Sequence, residues 1–101
     1  MDKDHIVKAK ATHPGILIKD ELEEYSDMDQ KKLAEKLKVK PSYLNEVING
    51  KRPVKADLAI LLEKVLGISA DYWMRFQSQY ELDKARSKPK NIKKLKEVTS
   101  V

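Results

Sequence analysis

Apolar residues recur at helical spacing through most of the chain, and the breaks fall at Pro, Gly, Asp and Ser. Residues 1–12 show no sustained period and are expected to form an arm. His13 and Pro14 read as a helix start, because the first turn has no use for the N–H that proline lacks. Ile18, Leu22 and Tyr25 then fall at i, i+4 and i+7, one side of an amphipathic helix. A second helix is expected from Asp29, whose carboxylate can accept from a free N–H of the first turn. Leu33, Ala34 and Leu37 form its apolar face, and Lys38-Val39-Lys40 interrupts the pattern. Pro41 opens a third helix reaching about Asn49, with Leu44, Val47 and Ile48 inward. Gly50 suits a left-handed cap, and Pro53 prevents continuation. A fourth helix covers about Ala56 to Leu66 and stops at Gly67. Ser69 caps a fifth, with Trp73, Phe76 or Gln77, and Tyr80 along one side, ending between Leu82 and Ser87. Beyond Pro89, Ile92, Leu95 and Val98 recur every three residues among lysines, which fits either a short amphipathic helix or a segment that folds on a partner. No strand pattern and no internal repeat is present. The expected fold is all-α, a bundle of five short helices in residues 13–86 with a basic tail over residues 87–101.

At 101 residues the chain has room for one domain with one small core. Charged residues make up 37% and aromatics 6%, so the core must be aliphatic. The absence of cysteine excludes disulfides, thiolate metal sites and a cysteine nucleophile. No apolar run approaches the roughly 20 residues of a membrane span. The first ten residues alternate charges and lack the apolar centre of a signal peptide. A soluble, cytoplasmic protein without a membrane partner is therefore expected.

The formal charge of +5 is unevenly distributed. Seven bases and one acid lie from Lys84 to the end, so the rest of the chain is near neutral. Within that remainder, residues 20–29 hold six acids and no base, whereas residues 38–55 hold five bases and the single acid Glu46. An acidic block, a basic centre and a basic tail imply more than one partner surface.

The basic centre coincides with the two helices of residues 29–50, joined by a tight link. This is the pattern of a helix-turn-helix, in which the first helix braces against the DNA backbone and the second enters the major groove. The outward side of the second would carry Ser42, Tyr43, Asn45 and Glu46. Other chemistries fail on inventory. The two histidines, His5 and His13, lie on or beside the arm and suggest no metal site. Three glycines form no phosphate loop. No residue set supports an enzyme, and no cofactor is implied.

The run Gln30-Lys31-Lys32-Leu33-Ala34-Glu35-Lys36-Leu37, followed by Val39-Lys40-Pro41-Ser42 and by Asn45 to Arg52, resembles phage-repressor-like (XRE) helix-turn-helix proteins. His13-Pro14-Gly15-Ile16-Leu17 is similar to the HPGEIL opening of HigA-family antitoxins. Ala56-Asp57-Leu58-Ala59, Gly67 to Trp73, and Gln77 with Tyr80-Glu81-Leu82 strengthen the likeness, which spans about residues 13–86. Three positions depart from the pattern. Ile16 stands for Glu, Lys38 for a turn glycine, and Lys55 for a capping Thr or Ser. The resemblance implies a lambda-repressor-like fold and an antitoxin that represses its own operon and neutralises a HigB-like mRNA endonuclease toxin. It implies that Gln30 touches phosphate, that Lys40, Ser42, Tyr43 and Glu46 face base edges or nearby backbone, and that Asn45 reaches the groove or bonds within its helix. It further implies that Asn49, Lys51 and Arg52 grip phosphate. One helix-turn-helix covers a short half-site, so a symmetric homodimer on double-stranded operator DNA is expected. Trp73, Phe76 and Tyr80 are the expected dimer contacts. Glu23 and Glu24, in the acidic block, are the expected toxin contacts, since opposite potentials speed encounter with a basic ribonuclease. A solitary XRE-type regulator without a toxin is the alternative.

Overall fold

The computed structural model describes residues 11–25 and 27–101. Most of the expected arm, including His5, lies outside the described residues. Six helices follow in order: α1 (Gly15–Glu24), α2 (Gln30–Leu37), α3 (Pro41–Ile48), α4 (Ala56–Leu66), α5 (Ala70–Ser87) and α6 (Pro89–Glu97). No strand occurs among the described residues. The first five match the helices that periodicity predicts. The sixth settles the open choice over the tail as a helix and makes six helices among the described residues, against the five expected.

Local chemistry sets the boundaries. Asp29 caps α2, its Oδ1 accepting from the Lys32 N–H at 2.8 Å. Ser69 caps α5 in the same way, accepting from Tyr72 N–H at 3.1 Å. Lys38 ends α2 in the left-handed region, at φ 61°. Its N–H bonds Glu35 O at 3.2 Å while Val39 N–H bonds Ala34 O at 3.1 Å, the paired reverse bonds that close a Schellman turn. Gly50 ends α3 with the same device at φ 79°, Lys51 N–H reaching Glu46 O at 2.8 Å. Both turns of the helix-turn-helix region thus share one geometry, but only the second has the residue suited to it. Lys55 precedes α4 and offers no side-chain cap, as its departure from the usual Thr or Ser implies.

The core unites all of α1–α5. Ile18, Leu33, Leu37, Leu44, Val47, Val54, Leu62 and Trp73 are fully buried in one cluster. α2 packs on α3 and α4, α1 on α3, α4 on α5, and α6 on α5. Two sequence expectations require correction here. Tyr25 is exposed rather than inward, because α1 ends at Glu24 and Tyr25 turns away in an extended conformation. Trp73 is fully buried, its Nε1–H donating to Ile68 O at 3.1 Å, so it belongs to the core and is absent from the surface that a second copy could touch.

Candidate nucleic-acid interface

α3 begins at Pro41, which pre-sets the first turn, and buries Leu44 and Val47 against α1 and α2. Those anchors fix which side faces out. Ser42, Asn45, Glu46 and Asn49, at i, i+3, i+4 and i+7, line up along that side. Ser42, Asn45 and Asn49 are exposed, and Glu46 is half-buried. Asn49 donates from Nδ2 to Asn45 Oδ1, so of the two uses expected for Asn45 the helix-internal bond is present. Tyr43 stands at the flank, half-buried and packed against the core.

Cations bracket this row. Exposed Lys40 precedes α3, and exposed Lys51 and Arg52 follow it. The Arg52 Nε–H is bonded to Glu46 Oε1, and its guanidinium lies 5.7 Å from the Tyr43 ring centroid. That ion pair is the only one among the described residues and holds the Arg52 pKa above its ordinary value through the hydrogen bond to Glu46. It also neutralises the one acid on the row, which lowers the repulsion of Glu46 from a polyanion. Gln30 is the first residue of α2, half-buried, beside the free N–H groups that suit a helix start to phosphate. Each expected DNA contact therefore lies on α3 or within a few residues of its ends, except Gln30, which opens α2.

The expected dimer and toxin contacts lie elsewhere. Phe76 is half-buried and meets Tyr72 with centroids 6.2 Å apart. Half-buried Tyr80 is engaged within the chain, edge-on to His13 at 4.8 Å. Glu23 and Glu24 are exposed in the last turn of α1.

Two positioning residues escape a reading of the sequence. Gln77, 5% exposed, accepts at Oε1 from the Val54 N–H at 2.8 Å and donates from Nε2 to Glu81 at 2.8 Å. It ties α5 to the loop that follows α3. Only its place on the apolar side of α5 hinted at this. His13 accepts at Nδ1 from Gly15 N–H at 2.9 Å and packs against Gly50. Burial pushes its pKa below the ordinary histidine value, an interaction with the Arg52 main chain opposes this, and Lys84 adds to it.

A surface row of hydrogen-bonding side chains on a short helix, braced by a second helix and edged by cations, defines a helix-turn-helix DNA-binding protein. A helix-turn-helix family model matches residues 19–73. Virulence-associated protein I of Dichelobacter nodosus is 32% identical over 82 residues, which span 81% of this chain and 76% of that protein. An addiction-module antidote protein of a HigA family from Coxiella burnetii superposes with a TM-score of 0.84 at 31% identity, over 92% of this chain and 100% of that one. The Pseudomonas aeruginosa antitoxin HigA, solved with the higBA promoter, gives 0.78 at 32% identity, over 90% and 97% of the two chains. The chain belongs to the helix-turn-helix family, of the XRE type, and its structural neighbours include HigA-family antitoxins. This is a family of DNA-binding regulators and antitoxins rather than of enzymes.

Proposed function

We propose that this protein is an antitoxin that binds operator DNA as a symmetric homodimer, represses its own operon and neutralises a HigB-like mRNA endonuclease. The observation that carries the reading is the α3 row of Ser42, Asn45, Glu46 and Asn49, bracketed by Lys40, Lys51 and Arg52. Ser42 can donate or accept at several bases, and Glu46 can accept from cytosine N4. The flanking cations fix register on phosphates without reading sequence. That the Pseudomonas neighbour is an antitoxin solved with promoter DNA supports the DNA-binding half of this reading.

The toxin half of the reading rests on α1. Its last turn carries acids and no base, although the negative end of the helix dipole favours cations there. Each such acid costs up to about 1 kcal/mol of helix stability. An exposed acidic patch held against its own helix dipole suits capture of a basic ribonuclease.

The test is fluorescence anisotropy with the duplex upstream of the gene and with a scrambled duplex. Ser42→Ala with Glu46→Ala is expected to erase most of the preference for the upstream duplex, about 1–3 kcal/mol for each base-reading side chain removed. Lys51→Ala with Arg52→Ala is expected to weaken both duplexes alike. An unchanged preference in the first variant refutes base reading by α3. Co-expression with the neighbouring gene product tests the acidic patch, where Glu23→Lys with Glu24→Lys is expected to abolish capture. Operator binding without any captured partner would leave a solitary regulator.

A further inference from the structure

Behind the loop that leaves α3 lies a cleft of about 350 Å³, between residues 50–53 and the C-terminal half of α5. Its walls bring together Lys51 and Arg52 from the loop, Lys84 from α5, Lys88 at the α5–α6 junction, and His13 with Tyr80 at the back. The single acid on the wall, Glu81, has its Oε2 occupied by the Gln77 amide. Lys51, Lys84 and Lys88 have no carboxylate partner among the described residues, since the one ion pair there is Arg52–Glu46. The Lys84 Nζ rests 5.2 Å from the Tyr80 ring centroid, which holds its ammonium over the cleft wall.

Unpaired cations drawn from separate stretches of sequence into one concavity focus positive potential there. Lys51, Arg52, Lys84 and Lys88 are all exposed, so the fold does not need an anion there, but their convergence on one concavity favours binding of one. The two loop cations that form its outer lip also end the DNA-facing row. An anion in the cleft is therefore adjacent to the backbone that Lys51 and Arg52 would hold.

We infer that this cleft is a second phosphate seat, in which Lys84 and Lys88 hold a DNA backbone phosphate next to the one gripped by Lys51 and Arg52. The inference rests on the DNA-binding reading above and extends the interface from the helix-turn-helix to the end of α5. The seat carries no base information and serves affinity and register alone. A bound phosphate also offsets the repulsion of Lys84 from His13, which makes the His13 ring a local reporter.

The experiment measures affinity of the full chain for the upstream and scrambled duplexes between 50 and 200 mM NaCl, for wild type, Lys84→Gln/Lys88→Gln and Lys84→Arg/Lys88→Arg. Each phosphate neutralised adds about 0.9 to the log–log salt slope. The Gln pair is expected to lower the slope by about that much per protomer on both duplexes, to weaken both several-fold, and to leave their ratio unchanged. The Arg pair is expected to keep the wild-type slope. Circular dichroism confirms that each variant folds. A Gln pair with the wild-type slope overturns the seat while leaving DNA binding by α3 intact. If the wild type binds neither duplex, the DNA reading itself fails and the seat with it. Inorganic phosphate is the control for a free anion. His13 ring shifts that saturate below millimolar phosphate, with no slope change in the Gln pair, assign the cleft to a small anion and overturn the DNA assignment.

Discussion

At Gly15 the backbone of α1 runs so close to the end of α3 that a β-carbon would lie 2.2 Å from Val47 O and 2.7 Å from Ile48 O. Both atoms are main chain and cannot swing aside. Gly15→Ala must therefore push α3 away from the core, with an expected loss of at least about 2 kcal/mol in urea unfolding and weaker DNA binding. Wild-type stability in that variant would show that the two helices do not meet as described. His13, two residues earlier, links α1 to the loop beyond α3 and to Tyr80. Arg52 and Lys51 from the loop, and Lys84 with Glu81 from α5, surround the same cleft. Its lowered pKa means that the unfolded chain binds the proton more tightly than the folded one. Stability from this residue is thus complete above about pH 6.5 and is lost as pH falls through the lower folded value. Melting temperatures of wild type and His13→Asn, which keeps an acceptor but does not titrate, should diverge in slope below that pH. Parallel curves would contradict the assignment.

At the scale of elements, the two turns of the helix-turn-helix region differ in fitness. Lys38 holds a left-handed conformation that costs a non-glycine residue about 1 kcal/mol, and Gly50 holds the same conformation without that cost. Lys38→Gly is expected to raise stability by about 0.5–1 kcal/mol with DNA affinity unchanged. A loss of stability would mean that the lysine side chain contributes to the turn. The other critical joint is Gln77, whose removal leaves the buried Val54 N–H without a partner. Gln77→Ala is expected to cost about 1–3 kcal/mol, and weaker phosphate grip by Lys51 and Arg52 should accompany it. Helices α1 to α5 were legible because Pro14, Asp29, Pro41, Gly50, Gly67 and Ser69 mark ends by chemistry that acts within a few residues. The α3 row was legible for the same reason, since its spacing is local. α6 was ambiguous, because Ile92, Leu95 and Val98 remain 41–62% exposed and no core position settles their state. Trp73 was expected as a dimer contact because the α5 stripe does not say which of its aromatics is taken up by the chain's own core. The cleft was invisible because residues 13, 51, 84 and 88 come together only through tertiary packing.

At the scale of the whole molecule, charge is sorted by surface. The acids of α1 gather at its far end, the cations of residues 40–52 edge α3, and α6 adds lysines beyond the cleft. On the proposed function, separate acidic and basic patches would serve a basic protein and a polyanion respectively. It also bears on stoichiometry. On the proposed function, a single row of four side chains would read only a short half-site, so two chains about 34 Å apart along the duplex are expected. Native mass spectrometry of the chain with the upstream duplex tests this central claim most directly. The expected result is a complex of two chains per duplex that a scrambled duplex of equal length does not form. One chain per duplex, or the same complex on both duplexes, would contradict it.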